Sequence, residues 1–185
     1  MCRLRFLLCL LLLPASVLLS GCATGSGDAP LADPVVVYLV RHAERAEDGT
    51  DDPPISETGQ ARARKLAALL TDAGIDHVHS TDLQRTRQTG APLVEATGLP
   101  VEVYDPGDLP GFAATLKVTP GRHLVLGHSN TTPELVVALG GSPGEAIDES
   151  EYDRLYVVII PATGPVSTVL LRYGAAYVRS APELP

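Results

Sequence analysis

Val35 to Val40 (VVVYLV) is apolar at every position. A run of that kind is strand-like and has to be buried. It meets Arg41 and His42 without a break, so a core strand ends on two polar groups. Ligands of open α/β sheets bind at the carboxyl ends of the strands. Arginine offers a planar fork of donors suited to phosphate, and a neighbouring histidine can act as nucleophile, acid, base or metal ligand. The alternative is a pair left in solvent at the strand exit, and the rest of the chain must decide between them.

Strand and helix signals alternate from Val35 onward, which argues for an α/β fold. After the first strand, Ser56 is a plausible N-cap, and Leu66, Leu69, Leu70 and Ala73 recur at helical spacing until Gly74. Asp76 to Ser80 reads as a second strand and Leu83 to Thr97 as a helix ended by Gly98. Pro92 costs that helix a backbone hydrogen bond. Val101 to Tyr104 is a third strand, Asp108 to Val118 a helix, His123 to Leu126 a fourth strand, and Thr132 to Leu139 a helix with Pro133 near its start. Leu155 to Ile160 and Val166 to Leu171 flank Pro161 to Pro165 and pair naturally as a hairpin. The expected fold is a three-layer α/β sandwich: a mostly parallel central sheet, helices on both faces, and an antiparallel strand at one edge.

Residues 1–21 read as a leader. Arg3 and Arg5 precede the apolar run Phe6 to Leu19, which Pro14 interrupts and which is too short to span a bilayer comfortably. Leu19-Ser20-Gly21-Cys22 resembles a bacterial lipobox, implying cleavage before Cys22 and a lipid on its thiol. Residues 22–34 (CATGSGDAPLADP) then form a lipidated tether, and residues 35–185 form one domain of about 150 residues. Of the three cysteines, Cys2 and Cys9 leave with the leader and Cys22 carries lipid. None remains for a disulfide, a thiolate metal site or a thiol nucleophile. Losing Arg3 and Arg5 makes the mature chain two charges more negative than −8. So acidic a chain has no basic footprint for nucleic acid and meets the membrane only through its lipid. The expected location is the bacterial cell envelope, lipid-anchored and facing the periplasm or the exterior.

Three polar clusters follow three strands: Arg41-His42, Ser80 to Arg85, and Gly127-His128-Ser129-Asn130. A serine hydrolase would use Ser129, because GHSNT is similar to the Gly-x-Ser-x-Gly elbow. Thr131 fills the last glycine position, however, and no histidine follows the serine to complete a triad. A metal hydrolase would use His77 and His79, which share one face of a strand, but no acid is placed by the sequence to join them.

The third chemistry is phosphoryl transfer to histidine. The stretches LVRHAER, STDLQRTRQT and LVLGHSN resemble, in order and spacing, three signatures of the histidine phosphatase superfamily, the phosphoglycerate mutase-like proteins. ISETGQARA also resembles that family's first helix start. The resemblance implies a phosphoglycerate mutase-like fold and a small phosphorylated substrate. His42 would be the nucleophile, with Arg41, Arg85 and His128 binding the non-bridging oxygens and Asn130 completing the phosphate site. No metal or other cofactor is required. Where many members carry a glutamate as general acid, this chain offers Asp105, and after it Asp108. Glu44 is expected to serve in a structural ion pair, and Arg45 in either a substrate contact or solvent. The expectation is a metal-independent phosphatase working through phosphohistidine. The alternative is a lipid-anchored protein of the same fold that binds a phosphorylated ligand with little or no turnover.

Overall fold

β1 (Val35–Arg41) is the hub of the molecule and justifies its apolar sequence on both faces. Val35, Val37 and Leu39 enter one core, while Val40 enters the other. The computed structural model describes residues 33–179. The leader and lipidation readings, including Cys22, and all of the tether except Asp33 and Pro34 lie outside the described residues. In chain order follow α1 (Glu57–Leu70), β2 (His77–Ser80), α2 (Gln84–Thr97), β3 (Val101–Val103), α3 (Leu109–Val118), β4 (Arg122–Gly127), α4 (Thr131–Leu139), β5 (Arg154–Ile160) and β6 (Ser167–Arg172). Among the described residues no helix is long and apolar enough to cross a membrane.

The sheet order is β3-β2-β4-β1-β5-β6. β3, β2, β4 and β1 are parallel; β5 pairs antiparallel with β1, and β6 antiparallel with β5. The edge therefore differs from a single antiparallel strand. The hairpin adds two strands, and only β5 opposes the other five. Leu109, Ala113 and Leu116 of α3 and Leu135, Val136 and Leu139 of α4 cover one face. Leu66, Ala67 and Leu70 of α1 and Leu93 of α2 cover the other. Because β1, β4 and β2 are adjacent and parallel, their carboxyl ends, and the three polar clusters that follow them, share one rim.

Local chemistry sets how closely the helices approach that rim. The Ser56 hydroxyl accepts from the Gly59 N–H and caps α1. A Cβ at Gly59 would overlap the Glu44 carbonyl, so only glycine lets α1 sit this close to the segment after β1. α1 ends at Leu70, earlier than the run to Ala73 suggested, and the chain turns at Gly74, which adopts φ +65°. Helix α2 has no cap of its own; Asp52 accepts from the Gln84 N–H instead. It runs through Pro92 as one helix and stops at Gly98, which adopts φ +72°. Gly90 of α2 faces Leu126, and a Cβ there would meet Leu126 Cδ1 at 2.5 Å.

The long connection between α4 and β5 is held by a buried charge cluster. Glu151 is 2 % exposed and accepts from Arg154 Nε (2.7 Å) and Nη2 (2.8 Å) and from Arg172 Nη1 (2.5 Å). Arg154 also donates to the Glu145 and Ala146 carbonyls and to the Tyr156 hydroxyl. Asp153 receives Arg172 at 2.5 Å. A carboxylate this buried survives only when paired and fully hydrogen-bonded.

Candidate active site

The rim holds a cavity of about 270 Å³ lined by Arg41, His42, Arg45, Leu83, Arg85, His128, Ser129, Asn130 and Glu149. Arg41 and His42 sit at the end of β1, Arg85 in the first turn of α2, and His128 directly after β4. The N-terminal turn of α2 adds its partial positive charge to that of Arg85. Hydrogen bonds fix the spacing. The His42 N–H donates to the Gly127 carbonyl at 2.9 Å, and the Ala43 N–H to the Thr89 hydroxyl at 2.8 Å. Thr89 in turn donates to the Arg85 carbonyl.

His42 is held in one tautomer. It is 5 % exposed, and its Nδ1 lies 2.8 Å from its neighbour's carbonyl, Ala43 O. A carbonyl only accepts, so Nδ1 carries the proton and Nε2 keeps its lone pair. Burial pushes the pKa down to about 3, helped by the Arg41, His128 and Arg85 charges and opposed by the Ala43 hydrogen bond. His42 is therefore neutral at physiological pH. His128 is brought down to about 4 by burial, then by Arg85 and Arg41. Its Nε2 meets the Thr81 hydroxyl at 3.1 Å, and its ring lies edge-on to His42, centroids 5.4 Å apart.

Arg41 serves two masters. Its Nη1 donates to the carbonyls of Asp148 (2.9 Å), Glu149 (2.8 Å) and Glu151 (3.1 Å), and its Nη2 to the Glu149 carboxylate at 3.0 Å. The guanidinium lies 4.2 Å over the Tyr152 ring. Three buried side-chain polar atoms lack a hydrogen-bond partner among the described residues: Arg41 Nε, Arg85 Nε and the Tyr173 hydroxyl. Two of the three belong to the arginines of this cavity. Buried donors are nearly always satisfied, so these two arginines keep donor capacity beside the cavity that no described residue uses.

The structure thus brings Arg41, His42, Arg85, His128 and Asn130 around one cavity. It does not bring Asp105 there. That carboxylate accepts from the Gly107 N–H two residues on, a local turn contact, and Asp108 is the N-cap of α3. Asp105 and Asp108, expected as general-acid candidates, are both held by the backbone of their own loop and do not line this cavity. The acid that does line the cavity is Glu149, whose Oε1 accepts from the Ser129 hydroxyl at 3.0 Å. No motif announced Glu149 or Tyr152. The only hint was an acidic run, Asp148 to Glu151, ahead of a strand. Glu44 pairs with Arg62 at 2.8 Å, and Arg45 lines the cavity. His77 and His79 stack with His123, while Glu102 approaches both from β3. No cluster of three or more histidine, cysteine or acidic groups suited to a metal occurs among the described residues.

The buried neutral imidazoles make stability depend on pH. His42 and His128, with His79 (about 4) and His123, all titrate below the ordinary 6.5, chiefly through burial. The unfolded chain takes up protons first as pH falls, so this stability is complete above about 6.5 and is lost progressively toward the folded values. Urea unfolding should give similar free energies at pH 7 and 8 and smaller ones at pH 5. His42→Gln should lose less over the same interval. Parallel losses in the two proteins would remove His42 from this account.

Residues 37–106 match the family model of the histidine phosphatase superfamily (branch 1). The probable phosphoglycerate mutase GpmB of Serratia proteamaculans is 41 % identical over 76 residues, which cover 38 % of this chain and 35 % of that one. GpmB of Escherichia coli O1:K1 is 38 % identical over 75 residues, 37 % and 34 % of the two chains. The chain thus spans about a third of the length of the curated relatives it matches. Among solved structures, the protein histidine phosphatase SixA complexed with tungstate superposes with a TM-score of 0.60 at 22 % identity, covering 74 % of this chain and 96 % of that one. A mycobacterial glucosyl-3-phosphoglycerate phosphatase gives 0.59 at 14 % identity, covering 77 % and 100 %. These structures share the fold.

Proposed function

We infer that this chain, which carries the signature and the fold of the histidine phosphatase superfamily, hydrolyses phosphate monoesters through a phosphohistidine on His42. The observation that carries the reading is the neutral, Nδ1-tethered His42 facing two arginines with unpartnered Nε groups. Arg41, Arg85 and His128 would hold the non-bridging oxygens and neutralise charge spread over the phosphoryl group. His42 Nε2 forms the P–N bond as the P–O bond breaks, and the departing oxygen takes up a proton from solvent. Water then displaces phosphate from Nε2 and gives up its proton, so the net change is hydrolysis of one ester bond. The nucleophile and the groups that hold the phosphoryl oxygens are all side chains, and no metal is invoked. SixA is named a protein histidine phosphatase and other neighbours act on small phosphates, which supports phosphatase chemistry without choosing a substrate.

The test is turnover of p-nitrophenyl phosphate by the full-length chain, with EDTA and with vanadate. Activity should survive the chelator and fall with vanadate. Phosphate binding without turnover would instead favour a binding protein of the same fold. We further propose that Cys22 anchors the protein in the cell envelope, a reading supported by the lipobox-like LSGC ahead of a polar tether. Unchanged membrane partition and maturation of Cys22→Ser would overturn it.

A further inference from the structure

A second hollow shares part of its lining with the 270 Å³ cavity. This trough, of about 420 Å³, shares Ser129, Asn130 and Glu149 with the cavity. Its apolar wall is made by Pro133 and Val137 of α4 and by Pro143 and Ile147 of the connection to β5, and Glu134 and Glu149 are its acids. No lysine or arginine lines it. The remaining cation of the rim, Arg45, lines the cavity and not the trough. Arg41 already gives Nη2 to the Glu149 carboxylate.

We propose that the trough receives the leaving group of the substrate and that this group is uncharged and partly apolar. The proposal rests on the reading of the cavity as the phosphoryl site. A phosphorus held by Arg41, Arg85 and His128 has its ester oxygen directed away from His42, because displacement is in line. The trough is the hollow that adjoins the cavity at Ser129 and Asn130. A leaving group lying there covers Val137, which is 58 % exposed. A second anionic group in the same place would meet Glu134 and Glu149 with no cation in the lining, and Arg41 is already taken by Glu149. Glu149 thereby excludes substrates with a carboxylate or a second phosphate near the ester, and the wall favours a ring or branched chain.

The experiment measures kcat/KM of the full-length chain for methyl phosphate, benzyl phosphate and 3-phosphoglycerate. Methyl phosphate is too short to reach the trough and reports the phosphoryl site alone. Benzyl phosphate should exceed 3-phosphoglycerate by about tenfold or more, the scale set by burying an aromatic ring. Val137→Asp should lower the benzyl-to-methyl ratio several-fold while leaving methyl phosphate unchanged. Glu149→Gln should narrow the gap between benzyl phosphate and 3-phosphoglycerate. A wild type that turns over methyl phosphate but prefers 3-phosphoglycerate, or a benzyl-to-methyl ratio that Val137→Asp leaves alone, would overturn the proposal and spare the phosphatase reading. If none of the three esters is turned over, the phosphatase reading fails. Calorimetry with benzylphosphonate and methylphosphonate then decides the trough: tighter benzyl binding that Val137→Asp abolishes supports it, and equal binding overturns it.

Discussion

Replacing His42 with alanine should lower turnover of p-nitrophenyl phosphate by on the order of 10³-fold or more. The loss should fall on the chemical step, because the groups that would hold the phosphate remain. Arg41 keeps its three backbone carbonyls, Arg85 its helix, and His128 its contact with Thr81. The variant should therefore still bind vanadate or tungstate while forming no covalent intermediate. Wild-type enzyme quenched in alkali during turnover should retain a phosphate that is labile to acid, as a phosphoramidate is, and the mutant should retain none. A His42→Ala protein that hydrolyses the ester at near wild-type rates would remove the nucleophile from the mechanism, whatever its effect on binding.

The second large effect is expected away from the chemistry. Glu151→Ala should destabilise the fold by about 3–5 kcal/mol, the usual result of removing one partner of a buried ion pair. Arg154 is itself 5 % exposed and would be left with buried donors facing a void. The consequence should travel to the site. The segment anchored by Glu151 supplies the Asp148, Glu149 and Glu151 carbonyls that hold Arg41 Nη1, so loosening it frees the guanidinium to wander. Urea denaturation measures the first effect. Faster amide exchange across residues 141–153, with a raised KM, reports the second. Stability within about 0.5 kcal/mol of wild type, the range of an ordinary surface substitution, would contradict the buried network.

Much of this was legible in the sequence, and the reasons differ from part to part. The apolar run at β1 and the strand–helix alternation gave the layers, because burial on both faces leaves no room for polar residues. Ser56 and Asp108 were readable as helix starts because caps act locally. Arg41, His42, Arg85 and His128 could be placed on one rim because adjacent parallel strands end together. Asp105 was placed only by its position after a strand, and the structure sets it outside the cavity lining. The Gly107 N–H that occupies its carboxylate is a turn contact that spacing alone does not reveal. Glu149 and Tyr152 were missed for the opposite reason. They reach Arg41 from more than 100 residues away through an irregular segment with no periodicity to read. The Asp52 cap on α2 was hidden in the same way, 32 residues from the N–H it satisfies.

The two orphan Nε groups of Arg41 and Arg85 have a consequence for the energetics of the free protein. Each buried donor without a partner costs on the order of 1–3 kcal/mol, so the site proposed to take a phosphoryl group is also a place where the fold has stability to gain. An anion that fills it contributes its binding free energy to the native state alone, and stability then rises with the logarithm of ligand concentration. Inorganic phosphate should raise the unfolding midpoint, and a tighter tetrahedral oxyanion should raise it further. Thermal stability thereby becomes a gauge of occupancy, readable without a substrate or a chemical step.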